Sequence, residues 1–314
     1  MFPEAEAVLP LLADTDPAVR RVALLQIADF ADEYPQLFIT ASHDSDAGIR
    51  LEAARALEGN SNPAALTALV ALLNDEEAEV ADAARDALSE VRDPSAGAVL
   101  LELLEQNRGE ESAAILAALR KLRLPEARIP AEMLLEHASA AVRREAVGVL
   151  AYLRDAAALP ALAKRLTHDT DPTVRRAAAG ALLFATTDEV LPALSTAMAD
   201  SDWQVREEAA ITLGKLTRPA IGAILLQGLD DPAWEVRLKA AQALGRHRAV
   251  TATPALISAL AHPVSNLRRE AAAALGAIGN PEAISALETA VRHDTDVDVR
   301  KTATRALDAI RGNS

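Results

Sequence analysis

The chain has 314 residues, a formal net charge of −14, 3% aromatic residues and no cysteine. The missing thiols exclude a disulfide framework, a thiolate metal site and a cysteine nucleophile. The charge disfavours a general polyanion binder, because nucleic-acid affinity rests on neutralised phosphates.

Met1-Phe2-Pro3-Glu4-Ala5-Glu6 carries no positively charged leader, and no apolar run reaches the roughly 18 residues that span a bilayer. The expectation is a cytoplasmic protein without membrane contact. The charge is unevenly placed: residues 1–130 hold 11 Lys+Arg against 24 Asp+Glu, a net −13, whereas residues 131–314 hold 21 against 22, a net −1. Solvated helix faces account for such an imbalance; the other reading is that the acidic half docks a basic partner.

In chain order the sequence repeats one unit. An arginine slot recurs at Arg20, Arg50, Ala81, Ser112, Arg143, Arg175, Arg206, Arg237, Arg268 and Arg300, always 30 to 32 residues apart. A fixed period of this size marks a stacked array in which each unit buries its face against its neighbours. Three residues beyond the slot lies a small residue, from Ala23 to Ala303, with Ile115 the exception; seven beyond lies Leu57 and its equivalents to Leu307, with Ile27 in the first unit. Val174, Ala178 and Leu182 thus share one face of a helix, which Asp171-Pro172 starts. This is helix B. Upstream, Pro63, Pro160, Pro192, Pro254 and Pro281 open helix A, and Gly279-Asn280-Pro281 reads as stop, turn and restart. Two helices per period give an all-α solenoid of about ten helical pairs, a single array over 1–314 with a more degenerate part at 1–130 and regular repeats at 131–314.

The Asp-x-Asp-Pro-x-Val-Arg start, as in Asp169-Thr170-Asp171-Pro172-Thr173-Val174-Arg175, and the Ala-Leu-Gly end, as in Ala243-Leu244-Gly245 and Ala274-Leu275-Gly276, resemble the HEAT family, specifically the short HEAT-like repeats of phycobilisome-lyase type. The resemblance implies a ladder in which repeated Asp and Arg link neighbouring units. Asp14/Arg20, Asp44/Arg50, Asp169/Arg175, Asp200/Arg206 and Asp294/Arg300, each six apart, are then structural.

Copies three and four lose the arginine. The fourth has a longer polar turn, Gln106-Asn107-Arg108-Gly109-Glu110-Glu111, followed by the basic run Arg120-Lys121-Leu122-Arg123. They read as a drifting repeat, a bend or a weak joint. Phe30, Tyr34 and Phe38 cluster around Pro35, and bulky residues in an end unit are expected to cap its exposed core.

No catalytic constellation stands out. His43, His168 and His293 each precede an Asp-x-Asp turn, but they lie in repeats two, six and ten, too far apart for one ion at a stacking distance of roughly 10 Å per unit. The HEAT-type di-iron hydroxylases use His-Glu pairs, and this chain has only the reversed Glu136-His137. No Gly-x-Ser-x-Gly setting or phosphate-cradling loop occurs. No catalytic residue, metal or cofactor is expected.

Two surface features rise above this background. Trp203 and Trp234, 31 residues apart and the only tryptophans, sit in the same slot three before Arg206 and Arg237. They either shield their own turns or form an aromatic anchor pair, since Trp is enriched at binding hot spots. The position after the slot gives Arg21, Arg144, Arg176, Arg269 and Lys301, with Lys239 one further on, a basic stripe interrupted by Glu145, Glu207, Glu208 and Glu270. In HEAT-like arrays the B helices line the inner surface. The leading expectation is therefore a non-catalytic scaffold that holds a protein partner of unspecified identity, with Trp203 and Trp234 as anchors and Arg144, Arg176, Lys239 and Arg269 as steering charges. Its oligomeric state is taken as monomeric by default. The resemblance also allows a bilin-lyase-like subunit acting on a tetrapyrrole-carrying protein, and thirdly a HEAT-like DNA glycosylase, which the net charge disfavours.

Overall fold

The computed structural model describes residues 8–218 and 220–312. Its contacts divide the chain into two compact units, Met1–Arg154 and Asp155–Ser314. All regular structure among the described residues is helical. In the first unit a 3-10 turn, Leu9–Ala13, precedes α1 (Pro17–Gln26), α2 (Pro35–Ala41), α3 (Ala47–Ala56), α4 (Pro63–Leu72), α5 (Ala78–Ser89), α6 (Gly97–Gln106), α7 (Ser112–Leu122), α8 (Arg128–Leu134) and α9 (Ala140–Leu153). The second holds α10 (Leu159–His168), α11 (Pro172–Ala181), α12 (Leu191–Ala197), α13 (Trp203–Lys215), α14 (Ile221–Leu226), α15 (Trp234–Arg246), α16 (Thr253–Ala259), α17 (Ser265–Ile278), α18 (Ile284–His293) and α19 (Val297–Gly312). Even numbers are A helices and odd numbers are B helices. Within each unit every B helix lies against the next B helix and against its own A partner, so each unit is two rows deep. The protein is an all-α solenoid of two-helix repeats.

The repeated start is a division of labour among five residues. The first Asp closes the turn, as where Asp44 Oδ1 accepts the Asp46 N–H at 2.9 Å and Asp200 Oδ1 the Asp202 N–H at 2.9 Å. The second Asp is the N-cap: Asp16, Asp171 and Asp202 accept from Ala18, Thr173 and Gln204 at 2.8–2.9 Å, satisfying a donor that the helix leaves open. Proline follows at the first helical position in α1 and α11. Valine then enters the core, with Val174, Val205 and Val236 fully buried. The fifth residue is the arginine.

The small and leucine positions are buried throughout, and Ile27 and Ile115 fill them in the two exceptional copies. The glycine that ends the motif lets the next B helix approach. A Cβ on Gly245 would stand 2.9 Å from the Ala274 Cα, and one on Gly276 would stand 2.8 Å from the Ala306 Cα.

Two sequence expectations change. Pro281 opens a 3-10 turn, Pro281–Ala283, and α18 begins only at Ile284. The aromatic cluster is not confined to the first repeat. Phe38 lies in α2, the second repeat's A helix, fully buried and sharing a crevice with Leu24, while Leu11, Val22 and Leu25 of the first repeat stay 41%, 55% and 48% exposed.

Candidate functional site

The arginine slot forms a ladder, and its register is longer than the six-residue pairing. Slot arginines reach forward to the first Asp of the next repeat where one is present: Arg20 to Asp44 at 2.6 and 2.8 Å, Arg50 to Asp75 at 2.6 and 2.8 Å, Arg175 to Asp200 at 2.7 and 2.8 Å. Arg206–Asp231 and Arg268–Asp294 repeat the bidentate geometry at 2.6–2.9 Å. The six-residue relation is real but uses the backbone: Nη1 of Arg20, Arg50, Arg175, Arg206 and Arg300 donates to the carbonyl oxygen of Asp14, Asp44, Asp169, Asp200 and Asp294. One guanidinium thus ties its own turn to the next. A planar five-donor group is required for this, which explains why the slot holds Arg and not Lys. Hydrogen bonds from Arg20, Arg50 and Arg268 hold the Asp44, Asp75 and Asp294 carboxyls below the usual carboxylate range.

Asp75 and Asp231 were not legible as rungs, because spacing measured within a repeat misses partners in the next. Two histidines were also missed. His137 and His262 replace the first Asp of their repeats, and their Nδ1 atoms accept the N–H of Ser139 at 3.0 Å and of Val264 at 3.1 Å, the turn bond that Asp Oδ1 makes elsewhere. His43 and His168 end A helices, with Nδ1 at 3.0 and 3.3 Å from the Ile39 and Lys164 carbonyl oxygens. Among the described residues, no group of three or more carboxylates or imidazoles converges as a metal would require.

Trp203 and Trp234 are the first residues of α13 and α15, which lie side by side in the second unit. Trp203 is 39% exposed and Trp234 half-buried. Two of the glutamates that interrupt the basic stripe, Glu145 and Glu208, lie beside its cations, and Glu270 accepts from Gln242 Nε2 at 3.1 Å. Arg21 meets Glu52 of the next repeat at 2.6 Å, and Arg176 approaches Glu208 at 3.8 Å. Arg144 lies 3.4 Å from its own neighbour Glu145, which takes Arg120 at 2.8 Å. Burial raises the Glu208 carboxyl above its ordinary value despite the pull of Arg176, Lys215 and Lys239. Lys239 is half-buried and Arg269 exposed. Trp203, Trp234, Arg176, Lys239 and Arg269 all belong to the second unit, whereas Arg144 belongs to the first.

In copies three and four the ladder is replaced. Ala81 makes no such reach; Ser112, fully buried, donates its hydroxyl to the Asn107 carbonyl at 2.8 Å and closes its own turn only. The basic run that follows joins repeats instead. Lys121 bonds the Ser89 carbonyl, and the Arg120 and Arg123 guanidinium carbons stand 5.7 and 5.4 Å from the Tyr152 ring centre.

This fold and this ridge define a class: two-helix-repeat solenoids with a rung of arginine and aspartate between turns. The family model of HEAT repeats matches residues 34–120, 130–214 and 222–308, and that of the phycobilisome-lyase HEAT-like repeat matches 205–231. The chain belongs to the HEAT-repeat family. None of the curated proteins matches it in sequence. Among solved structures it is similar to an engineered protein, at 24% identity and a TM-score of 0.53 over 99% of both chains. YibA of Escherichia coli matches at 18% identity and a TM-score of 0.54, over 95% of this chain and 98% of that one. Kap95p in its complex with RanGDP matches at 14% identity and a TM-score of 0.63, over 99% of this chain and 50% of Kap95p. No helix among the described residues is long and apolar enough to cross a membrane.

Proposed function

We propose that this chain is a non-catalytic protein-binding scaffold whose second unit holds a protein partner on the Trp203–Trp234 ridge. The observation that carries the reading is the placement of both tryptophans at the first position of adjacent B helices, with Trp203 39% exposed, in a chain of 3% aromatic content. A large rigid aromatic surface at the start of a helix binds at low entropic cost and is where hot-spot energy concentrates. Arg176, Lys239 and Arg269 on the adjoining helix face steer an acidic surface toward it, setting on-rate and selectivity more than affinity. The fold is shared with Kap95p, which is seen with RanGDP and with Nup1, and this supports a surface that engages proteins.

The test is affinity capture from a lysate of the source organism with the wild-type chain and with Trp203→Ala/Trp234→Ala, followed by mass spectrometry and absorbance of the eluate. The expected result is one stoichiometric protein that the double variant loses. A protein retained equally by both chains moves the site off the ridge; a coloured or nucleic-acid-containing eluate overturns the scaffold reading.

A further inference from the structure

In the first unit, where the two successive repeats lack the ladder arginine, residues of α5, α7 and α9 line a cavity of about 370 Å³. Ala113, Ala114 and Ala117 of α7 give it an alanine stretch of lining. Glu110 and Glu111, on the long polar turn of the fourth repeat, and Glu145 of α9 line it as well. The two arginines that also line it are engaged: Arg85 bonds Asp82 on its own helix, and Arg144 lies 3.4 Å from Glu145. Glu111 spends one carboxylate oxygen on the Gly109 N–H at 3.0 Å, and Glu110 is exposed.

We infer that this cavity seats a Lys or Arg side chain from a basic segment of a protein partner. The aliphatic stem lies on the alanine stretch while the cationic head meets Glu110 and the free oxygen of Glu111, which is how long cationic side chains cover apolar surface and keep their charge paired. The occupant's sign follows from the charge around it. Residues 1–154 hold 14 Lys+Arg against 27 Asp+Glu, a net −13, and residues 155–314 hold 18 against 19, a net −1. The field of the first unit draws a basic segment in and repels an acidic one. The turn inserted in the fourth repeat and the lost arginines thereby acquire a common purpose. The inference concerns the first unit and does not depend on the tryptophan ridge.

The experiment is fluorescence anisotropy of a labelled peptide of alternating Lys and Ala, titrated with the full chain, beside the same peptide with Glu in place of Lys. The basic peptide is expected to bind and the acidic one not to. Glu110→Lys/Glu111→Lys is expected to weaken binding about tenfold or more. Ala117→Phe, which fills the cavity without changing charge, is expected to weaken it comparably, and circular dichroism establishes that each variant is folded. Glu76→Lys, at a side chain 84% exposed and outside the cavity, is expected to cost less than about threefold. Trp203→Ala/Trp234→Ala should leave this affinity unchanged. Absence of binding to the basic peptide overturns the inference. So does a loss on Glu76→Lys equal to that on Glu110→Lys/Glu111→Lys with none on Ala117→Phe, since binding would then be diffuse attraction without a seat.

Discussion

Arg20, Arg50, Arg175, Arg206 and Arg268 each make two charge-assisted bonds forward and one or more to their own turn, with both partners largely shielded from water. Removing one end leaves a desolvated charge behind. Arg175→Ala is therefore expected to lower unfolding free energy by about 2–4 kcal/mol, read from urea denaturation at pH 7. The pH dependence follows from the carboxyls that the arginines hold down. Asp44, Asp75 and Asp294 have folded pKa values below their unfolded ones; their contribution is fully present above the ordinary carboxylate pKa and is lost as pH falls through the depressed value. The urea midpoint should drop below about pH 4, and less steeply in Arg50→Ala, where one rung is already gone. His262 has the same sign as these carboxyls but acts in a higher pH window. Burial, then Arg237 and Arg268, lower its pKa, so the neutral ring stabilises the fold above its unfolded pKa and that stability is lost as pH falls through the folded one. His262→Asp replaces an imidazole facing two guanidinium groups with the carboxylate found in the other rungs. It is expected to raise the melting temperature at pH 6 and flatten its dependence between about pH 5 and 7.

At the scale of the helix, the two glycines near the end of α17 do unlike work. Gly276 is helical and faces Ala306 of α19 at a distance no Cβ tolerates, so Gly276→Val is expected to cost about 1–3 kcal/mol by forcing two helices apart. Gly279 ends the helix at φ +77° with open space around it, so Gly279→Ala should cost only the left-handed backbone, about 1–2 kcal/mol. Thermal melts of the pair distinguish the two causes. The glycine–alanine seam runs through α13, α15, α17 and α19 of the second unit. In the first unit the equivalent positions hold Ala28, Glu58, Ser89, Arg120 and Ala151, and the basic run of the fourth repeat substitutes a Tyr152 and Glu145 clasp for close backbone contact. The period and the two core positions were legible in the sequence because they recur in nearly every copy. The Arg120–Tyr152–Arg123 contact was not, because it occurs once and joins residues of different repeats.

For the molecule as a whole, charge divides into a strongly acidic unit, net −13, and a nearly neutral one, net −1. If the ridge and its adjoining cations act as proposed, Arg269→Glu should slow association with the captured partner several-fold and steepen or reverse its salt dependence, with dissociation little changed. Trp203→Ala should instead speed dissociation, by about tenfold or more for a hot-spot anchor. Surface plasmon resonance separates the two effects on one preparation.

The sequence by itself determined the helical class, the repeat period, the core positions and the placement of Trp203 and Trp234 on adjacent helices, since all of these follow from periodicity along one chain. Only the tertiary structure decided which Asp the ladder arginines bind, that His137 and His262 stand in for carboxylates, that Glu145 and Glu208 lie beside the stripe's cations, and that a cavity lined in part by alanines lies beside the two interrupted repeats. The physical reason is common to all four. A helical period is written in covalent order, but a rung or a cavity is made by side chains about 25 to 32 residues apart, brought together by stacking, and its partner cannot be read from either repeat alone.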